Sequence, residues 1–242
     1  NTLGIAYEKS SGELESLTTE ANTMERKLNA ATKLINGLSS ERSRWTGDLS
    51  GLSDTLTKVV GDRLLSSGFL SYVGAFDSVF RKRVIEGIWM PDIELKKIPL
   101  TLPYDLSKQL VSGATKQQWV SEGLPADELS VQNGILTTVA SRFPLCIDPQ
   151  EQAKKWIKTM EASNKLGVTR INNINLLRVL EQCIRMGRPL LIEDIGETLD
   201  PALESTLQKA TFKQGGRVLI RIGDGDVDYD PNFKLYVSTK MP

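Results

Sequence analysis

The chain has no histidine in 242 residues. That absence removes serine–histidine–aspartate and cysteine–histidine catalysis, HExxH zinc sites and imidazole acid–base chemistry together. Cysteine is scarce too: Cys146 and Cys183 are the two present, each inside an apolar or helical stretch. Their settings predict buried thiols rather than a disulfide, and without histidine two cysteines cannot close a structural zinc site. No sign of charge is in excess, since 30 Lys plus Arg balance 30 Asp plus Glu. A net charge of zero argues against capture of nucleic acid or of an acidic membrane surface. Apolar runs stop at about six residues, too short to span a bilayer. No basic segment followed by an apolar one opens the chain, so no signal peptide is read there. Its first residue is Asn1 rather than Met, the mark of a piece of something longer.

What is present begins with a heptad pattern. Alternating steps of four and three from Leu3 reach Tyr7, Ser10, Leu14, Leu17, Ala21, Met24, Leu28, Ala31, Ile35, Leu38, Arg42 and Trp45. Ser10 and Arg42 alone interrupt an apolar seam of period 3.5, which keeps one helix edge against a partner helix. Gly12 and Gly37 each cost about 1 kcal/mol of helix propensity, so the helix depends on that partner. Its working surface is read as Leu14, Leu17, Met24, Leu28, Ile35 and Leu38. A polar stretch, Thr46 to Ser50, is expected to end it. A second helical region follows, in which Leu49, Leu52, Leu56 and Val60 recur at helical spacing, and Leu65, Phe69, Val73, Phe76, Phe80, Val84 and Ile88 then face a core until Pro91 stops it. A short helix is expected near Tyr104 to Ser112.

From Arg142 the grammar becomes strand, loop, helix. Phe143–Ile147 and Pro189–Ile195 read as buried parallel strands, with helices at about Gln150–Glu161 and Asn175–Met186. Arg217–Ile222 and Asp226–Tyr229 form a hairpin around Gly223-Asp224-Gly225, and Phe233–Ser238 is the last strand. The fold class is therefore α/β with a mainly parallel sheet behind a long coiled-coil helix. Three segments follow: a coiled-coil helix over 1–45, a helical lead-in over 46–141 and an α/β core over 142–242.

In such a sheet, ligands bind in the turn after the first strand. The phosphate-binding version of that turn is GxxxxGK[ST], in which glycine amides wrap the phosphates and the hydroxyl holds magnesium. Here it reads Asp148-Pro149-Gln150-Glu151-Gln152-Ala153-Lys154-Lys155. Asp148 and Ala153 stand where the glycines belong, Lys154 fills the lysine slot, and Lys155 replaces the hydroxyl. Asp148 and Glu151 put carboxylates where a polyphosphate would lie. This is a phosphate loop in outline with its chemistry removed. The second buried strand ends in Glu193-Asp194, a pattern that holds metal and activates water in P-loop ATPases. With no working phosphate loop, the plainer role for these acids is to cap neighbouring helices. Asp224, Asp226, Asp228 and Asp230 do not make a calcium loop, because position six would be Tyr229 and position twelve Leu235. They read as the wet face of the hairpin.

These motifs, in order, carry a resemblance. Leu34-Ile35-Asn36-Gly37-Leu38, Glu41 to Trp45, Gly61-Asp62-Arg63-Leu64-Leu65 and Gln132-Asn133-Gly134-Ile135 resemble dynein heavy chain. So do Pro144 to Gln150, Lys155-Trp156-Ile157-Lys158, Gly187 to Asp194, Leu199 to Glu204 and Phe233 to Pro242. The likeness covers nearly the whole chain and leans to axonemal, inner-arm types. It implies the base of the second stalk helix and the large subdomain of the fifth AAA+ (P-loop NTPase-like) module, which in that family binds no nucleotide. ATP and magnesium would then act at other modules of the parent chain. Expected partners are the first stalk helix and the neighbouring AAA+ modules, with microtubules reached through the distal stalk. The implied place is the cytoskeleton of a cilium or flagellum. The implied role is a non-catalytic structural relay between ring movement and stalk. Two rivals stand beside it. One is an ATPase or nucleotide-binding module, with Lys154 on phosphate and Glu193 or Asp194 on magnesium. The other is a coiled-coil adaptor.

Overall fold

The computed structural model of the protein describes residues 2–198 and 200–241; the side chains of residues 2–6, including that of Leu3 at the head of the seam, lie outside that description, as does Leu199. Two units are distinguished, Asn1–Val59 and Val60–Pro242. The first is a single element, because helix α1 runs without interruption over Thr2–Gly68. The polar stretch expected to end the coil at Trp45 lies inside this helix. None of Thr46 to Ser50 is proline, and the Thr46 hydroxyl turns back onto the Arg42 carbonyl at 2.8 Å instead of competing for the backbone. The seam also continues in phase through it: after Trp45 the steps of four and three reach Leu49, Leu52, Leu56 and Val59. Leu14, Leu28, Leu38, Leu49 and Leu56 are each at least 61% exposed, so the stripe is uncovered along its length.

In the second unit, α1 ends in a π turn at Phe69–Val73, whose Phe69 and Val73 are buried. Asp77 then caps helix α2 (Ser78–Val84) by accepting the Phe80 N–H at 2.7 Å. The single core-facing helix expected here is thus broken at Gly74–Asp77, and Phe76, Phe80 and Ile88 are exposed rather than packed. Pro91 does not stop the helical path. A π turn at Ile85–Trp89 precedes helix α3 (Met90–Leu95), and the Met90 N–H already reaches back to Ile85. The missing proline N–H falls where the bonding register changes, in the first turn of α3, where helices tolerate proline. Short helices α4 (Leu106–Leu110), α5 (Gly113–Ser121) and α6 (Glu128–Val139) follow, each with an Asp or Ser side chain at its N-cap.

The α/β part alternates β1 (Leu145–Ile147), α7 (Gln152–Met160), β2 (Gly167–Arg170), α8 (Leu176–Arg185) and β3 (Leu190–Glu193). After the short helix α9 (Glu204–Leu207) come β4 (Thr211–Gln214), β5 (Arg217–Ile222), β6 (Gly225–Asp228) and finally β7 (Leu235–Thr239). Strands β1, β7, β3 and β2 lie side by side in that order, all parallel. Leu190 and Ile192 of β3 and Leu235 and Val237 of β7 face one core with α8, while Leu191 and Tyr236 face the other with α7 and the helical lead-in. Burial on both faces explains the near-continuous apolar run of β3. β1 departs from the expectation of a buried strand. It pairs with β7 at the sheet edge, and Leu145 and Ile147 are each 61% exposed. β4, β5 and β6 form a separate antiparallel sheet, turning at Gly215-Gly216 and at Gly223, all with positive φ.

Candidate functional site

The turn after β1 and the end of β3 meet, as the motif positions require. Asp148 leaves β1 and is pinned to β7 through its N–H, which donates to the Thr239 carbonyl at 2.8 Å. Its side chain reaches over the start of α7. Oδ1 accepts the Gln152 N–H and Oδ2 the Lys154 N–H, both at 2.9 Å. Glu151, at the N-cap of α7, holds φ 58° and ψ 26°, the left-handed region that suits glycine. Ala153 is half-buried beside it.

Lys154 sits between acids. Its Nζ lies 3.3 Å from Glu151 Oε1 and 3.4 Å from Glu193 Oε2. Burial would lower its pKa, but Glu151 and Glu193 outweigh that and hold it above the ordinary lysine value. Glu193, 5% exposed, receives two further cations: Lys158 of α7 at 2.6 Å and, at 3.9 Å, Arg170 at the end of β2. Burial alone would raise the Glu193 carboxyl, yet Lys158 and Lys154 keep it below the usual range. Asp194, with φ 56°, stands 3.5 Å from Arg170. Lys240, just past β7, ends this chain of pairs at 2.7 Å from Glu151, whose pKa its hydrogen bond and that of Lys154 pull down to about 2. Lys155 is exposed and joins none of these pairs among the described residues. The acids of the strand end therefore pair with lysines and an arginine rather than capping helices. A cavity of about 380 Å³ opens beside them, lined by Thr169, Arg170, Asn173 and Glu193.

Three partners in this network, Lys158, Arg170 and Lys240, belong to no nucleotide motif, and their charges carried no signal in the sequence. The aspartates of the hairpin are held elsewhere. Arg221 takes Asp226 through two bonds of 2.9 and 3.2 Å, and Arg217 faces Asp228 at 3.6 Å. Among the described residues no cluster of acids and thiols could hold a metal ion, and no helix is long and apolar enough to cross a membrane.

A second built feature is the root of α1. A Cβ on Gly61 would meet the Pro99 carbonyl oxygen at 2.3 Å, so the helix and the 98–101 strand of loop touch backbone to backbone. Asp62, 2% exposed, accepts the Thr101 N–H at 2.9 Å, the Thr101 hydroxyl at 2.7 Å and the Gln109 amide at 3.1 Å. Arg63 donates to the Gln109 carbonyl at 2.9 Å. Gly61-Asp62-Arg63 is therefore a clasp, a role the motif reading did not assign. An acid inside an apolar helical stripe was its signal. The seam residues named from sequence, Leu14, Leu17, Met24, Leu28, Ile35 and Leu38, all lie exposed on α1.

A family model described as the ATP-binding dynein motor region matches residues 117–242. A second, the microtubule-binding stalk of dynein motor, matches residues 1–93. Human dynein axonemal heavy chain 10 is 49% identical over 240 residues, covering 99% of this chain. Human dynein axonemal heavy chain 8 is 44% identical over 226 residues, 93% of the chain. The dynein-1-alpha heavy chain of the flagellar inner arm I1 complex of Chlamydomonas reinhardtii is 43% identical over 240 residues, again 99% of the chain. The chain spans about 5% of the length of these relatives.

Proposed function

The chain belongs to the dynein heavy chain motor family, and on that premise we propose that it is a non-catalytic AAA+ module that relays ring movement to the stalk. Its parent would hydrolyse ATP at other modules and move along microtubules in the axoneme of a cilium or flagellum, where its named relatives are placed. Within that parent, residues 1–59 are the base of the second stalk helix and residues 60–242 the large subdomain of the fifth module.

The observation that carries this reading is the long apolar seam on one continuous helix. From Leu14 to Val59 the apolar positions keep steps of three and four, with Arg42 the one charged member. α1 covers 67 residues, so it is about 100 Å long at 1.5 Å per residue. A stripe of that length left bare in water needs a partner helix. Similarity to the stalk family supplies one in the same heavy chain, the first stalk helix. Two helices in contact through such a seam can hold alternative registers, which a small displacement at the root can select. The ion-paired pocket supports the non-catalytic half of the reading. Lys154 is already neutralised by two carboxylates, and Lys155 offers no hydroxyl for magnesium.

The test is made in the motor that carries this module. Leu28→Lys or Leu38→Lys is expected to uncouple microtubule affinity from the nucleotide state while the module stays folded by circular dichroism. Normal coupling in both variants refutes the relay. Titration of the chain with magnesium ATP separates the rival reading, because saturable binding would make the module regulatory or catalytic.

A further inference from the structure

We infer that the relic pocket is a phosphate site that carries its own anion: the Asp148 carboxylate occupies the place of a phosphate group, so α7 is held in its liganded form without nucleotide. This rests on the reading of the module as one that binds no nucleotide, and it explains how the pocket keeps its shape.

The geometry is not that of an ordinary cap. A capping side chain accepts from residues two or three positions further on. Glu151 holds the cap position of α7 and makes no such bond. Asp148 instead binds amides four and six residues ahead, one through each carboxylate oxygen, at 2.9 Å each. Two oxygens of one anion on separate amides of a helix start is the way phosphate groups are held there. Asp148 is 8% exposed and fixed from behind, its N–H on Thr239 and its carbonyl taking the Glu151 N–H at 3.2 Å.

The lysine has been treated in the same way. In a nucleotide site its ammonium would meet phosphate oxygens; here it meets Glu151 and Glu193. Loss of function by simple decay would leave buried donors without acceptors, at a cost in stability, or replace them with apolar groups. Neither has happened. The Gln152 and Lys154 amides and the lysine side chain persist, and each of the three has an internal acceptor. Through Asp148 and Thr239, Glu151 and Lys240, and Glu193 with Lys158, the bound anions tie α7 to the ends of β7 and β3 permanently. A module locked in this way transmits displacement without a nucleotide cycle of its own.

The experiment is a thermal melt and a calorimetric titration of the chain with inorganic pyrophosphate, and with magnesium ATP alongside. The wild type is expected to show neither binding nor a change in melting temperature at millimolar pyrophosphate. Asp148→Gly removes the anion and vacates the place it fills, restoring the glycine of the motif. It is expected to gain pyrophosphate binding in the millimolar range, seen as a melting temperature that climbs with ligand concentration. Adding Lys154→Ala should abolish that gain, and Asp224→Asn, which removes an equal charge from the exposed hairpin turn, should not produce it. A folded Asp148→Gly that ignores pyrophosphate overturns the inference while leaving the non-catalytic reading standing. Saturable magnesium ATP binding by the wild type overturns both. Hydrogen exchange in the wild type needs no variant: the Gln152 and Lys154 amides are expected to be as protected as the middle of α7, and rapid exchange at both would refute the resident anion.

Discussion

Removing the carboxylate of Asp62 should loosen the root of α1 more than any exposed change along the helix. Asp62 is buried and accepts three hydrogen bonds, from the Thr101 N–H, the Thr101 hydroxyl and the Gln109 amide. Bonds to a charged acceptor are each worth about 1.5–3 kcal/mol, and donors left without partners add their own cost. Because the three share one acceptor and one loop, their losses do not add. A net destabilisation of about 3 kcal/mol is expected for Asp62→Ala. For a unit of this size that is a fall of about 6–12 °C in melting temperature. Asp62→Asn keeps an acceptor for the Thr101 N–H and should lose about half as much. Gly61→Ala tests the same clasp by steric means, since the added methyl would lie 2.3 Å from a carbonyl oxygen that has no side chain to swing away. The assay is differential scanning calorimetry of the chain, with hydrogen exchange at Asp62–Ser66 as the local readout. Local exchange should rise more than a hundredfold, the factor that about 3 kcal/mol represents. A drop below about 2 °C for Asp62→Ala, with exchange at the root unchanged, refutes the clasp.

Acid should weaken the fold through its buried glutamates. Burial would raise the pKa of Glu161, but Tyr236, Asn164 and Lys234 outweigh it and hold the value below the ordinary 4.5. A depressed carboxyl contributes stability that is complete above the unfolded value and fades as pH falls through the folded one. The melting temperature should therefore be level down to about pH 5 and fall below 4.5, and Glu161→Gln should be less stable at pH 7 with a flatter acid limb. Equal acid slopes in the two proteins would remove Glu161 from the account. At Glu151 the left-handed backbone favours glycine, so Glu151→Gly should be about 1 kcal/mol more stable than Glu151→Ala in urea, both having lost the pairs to Lys154 and Lys240. A more stable alanine variant would contradict the strain. Burial and the neighbouring Asp148 push the Cys146 thiol up to about 11. Its alkylation in the folded chain should be far slower than in urea, and equal rates would show that β1 opens freely.

The parts that the sequence made legible are those where one physical signal dominates. The 3.5-residue seam, the apolar β3 run Leu190-Leu191-Ile192 and the glycine turn at Gly223 each announce their geometry directly. The failures came where a local signal was outvoted. Thr46 to Ser50 is polar, yet Leu49 keeps the phase of the seam, and a helix interior tolerates threonine and glycine more readily than a register break. Pro91 signals a stop because its missing N–H breaks an α-helical ladder; the π turn before it has already shifted the ladder, which no propensity reveals. β2 and β4 carry no clear strand signal of their own. Gly167-Val168-Thr169-Arg170 is short and half polar, and becomes a strand because β3 offers it a complete parallel edge. The pocket divides in the same way. That Asp148, Glu151 and Lys155 depart from the phosphate-loop pattern is legible in the sequence. The ion pairs around them are not, because Arg170 and Lys240 lie 16 and 86 residues from Lys154 and meet the acids only once the sheet brings its strand ends together. Asp148 shows the point most sharply. In the sequence it counts as a charge that would repel phosphate. In the fold the same charge accepts the Gln152 and Lys154 amides, so the residue that departs from the motif's glycine is also the one that satisfies two donors of the helix start.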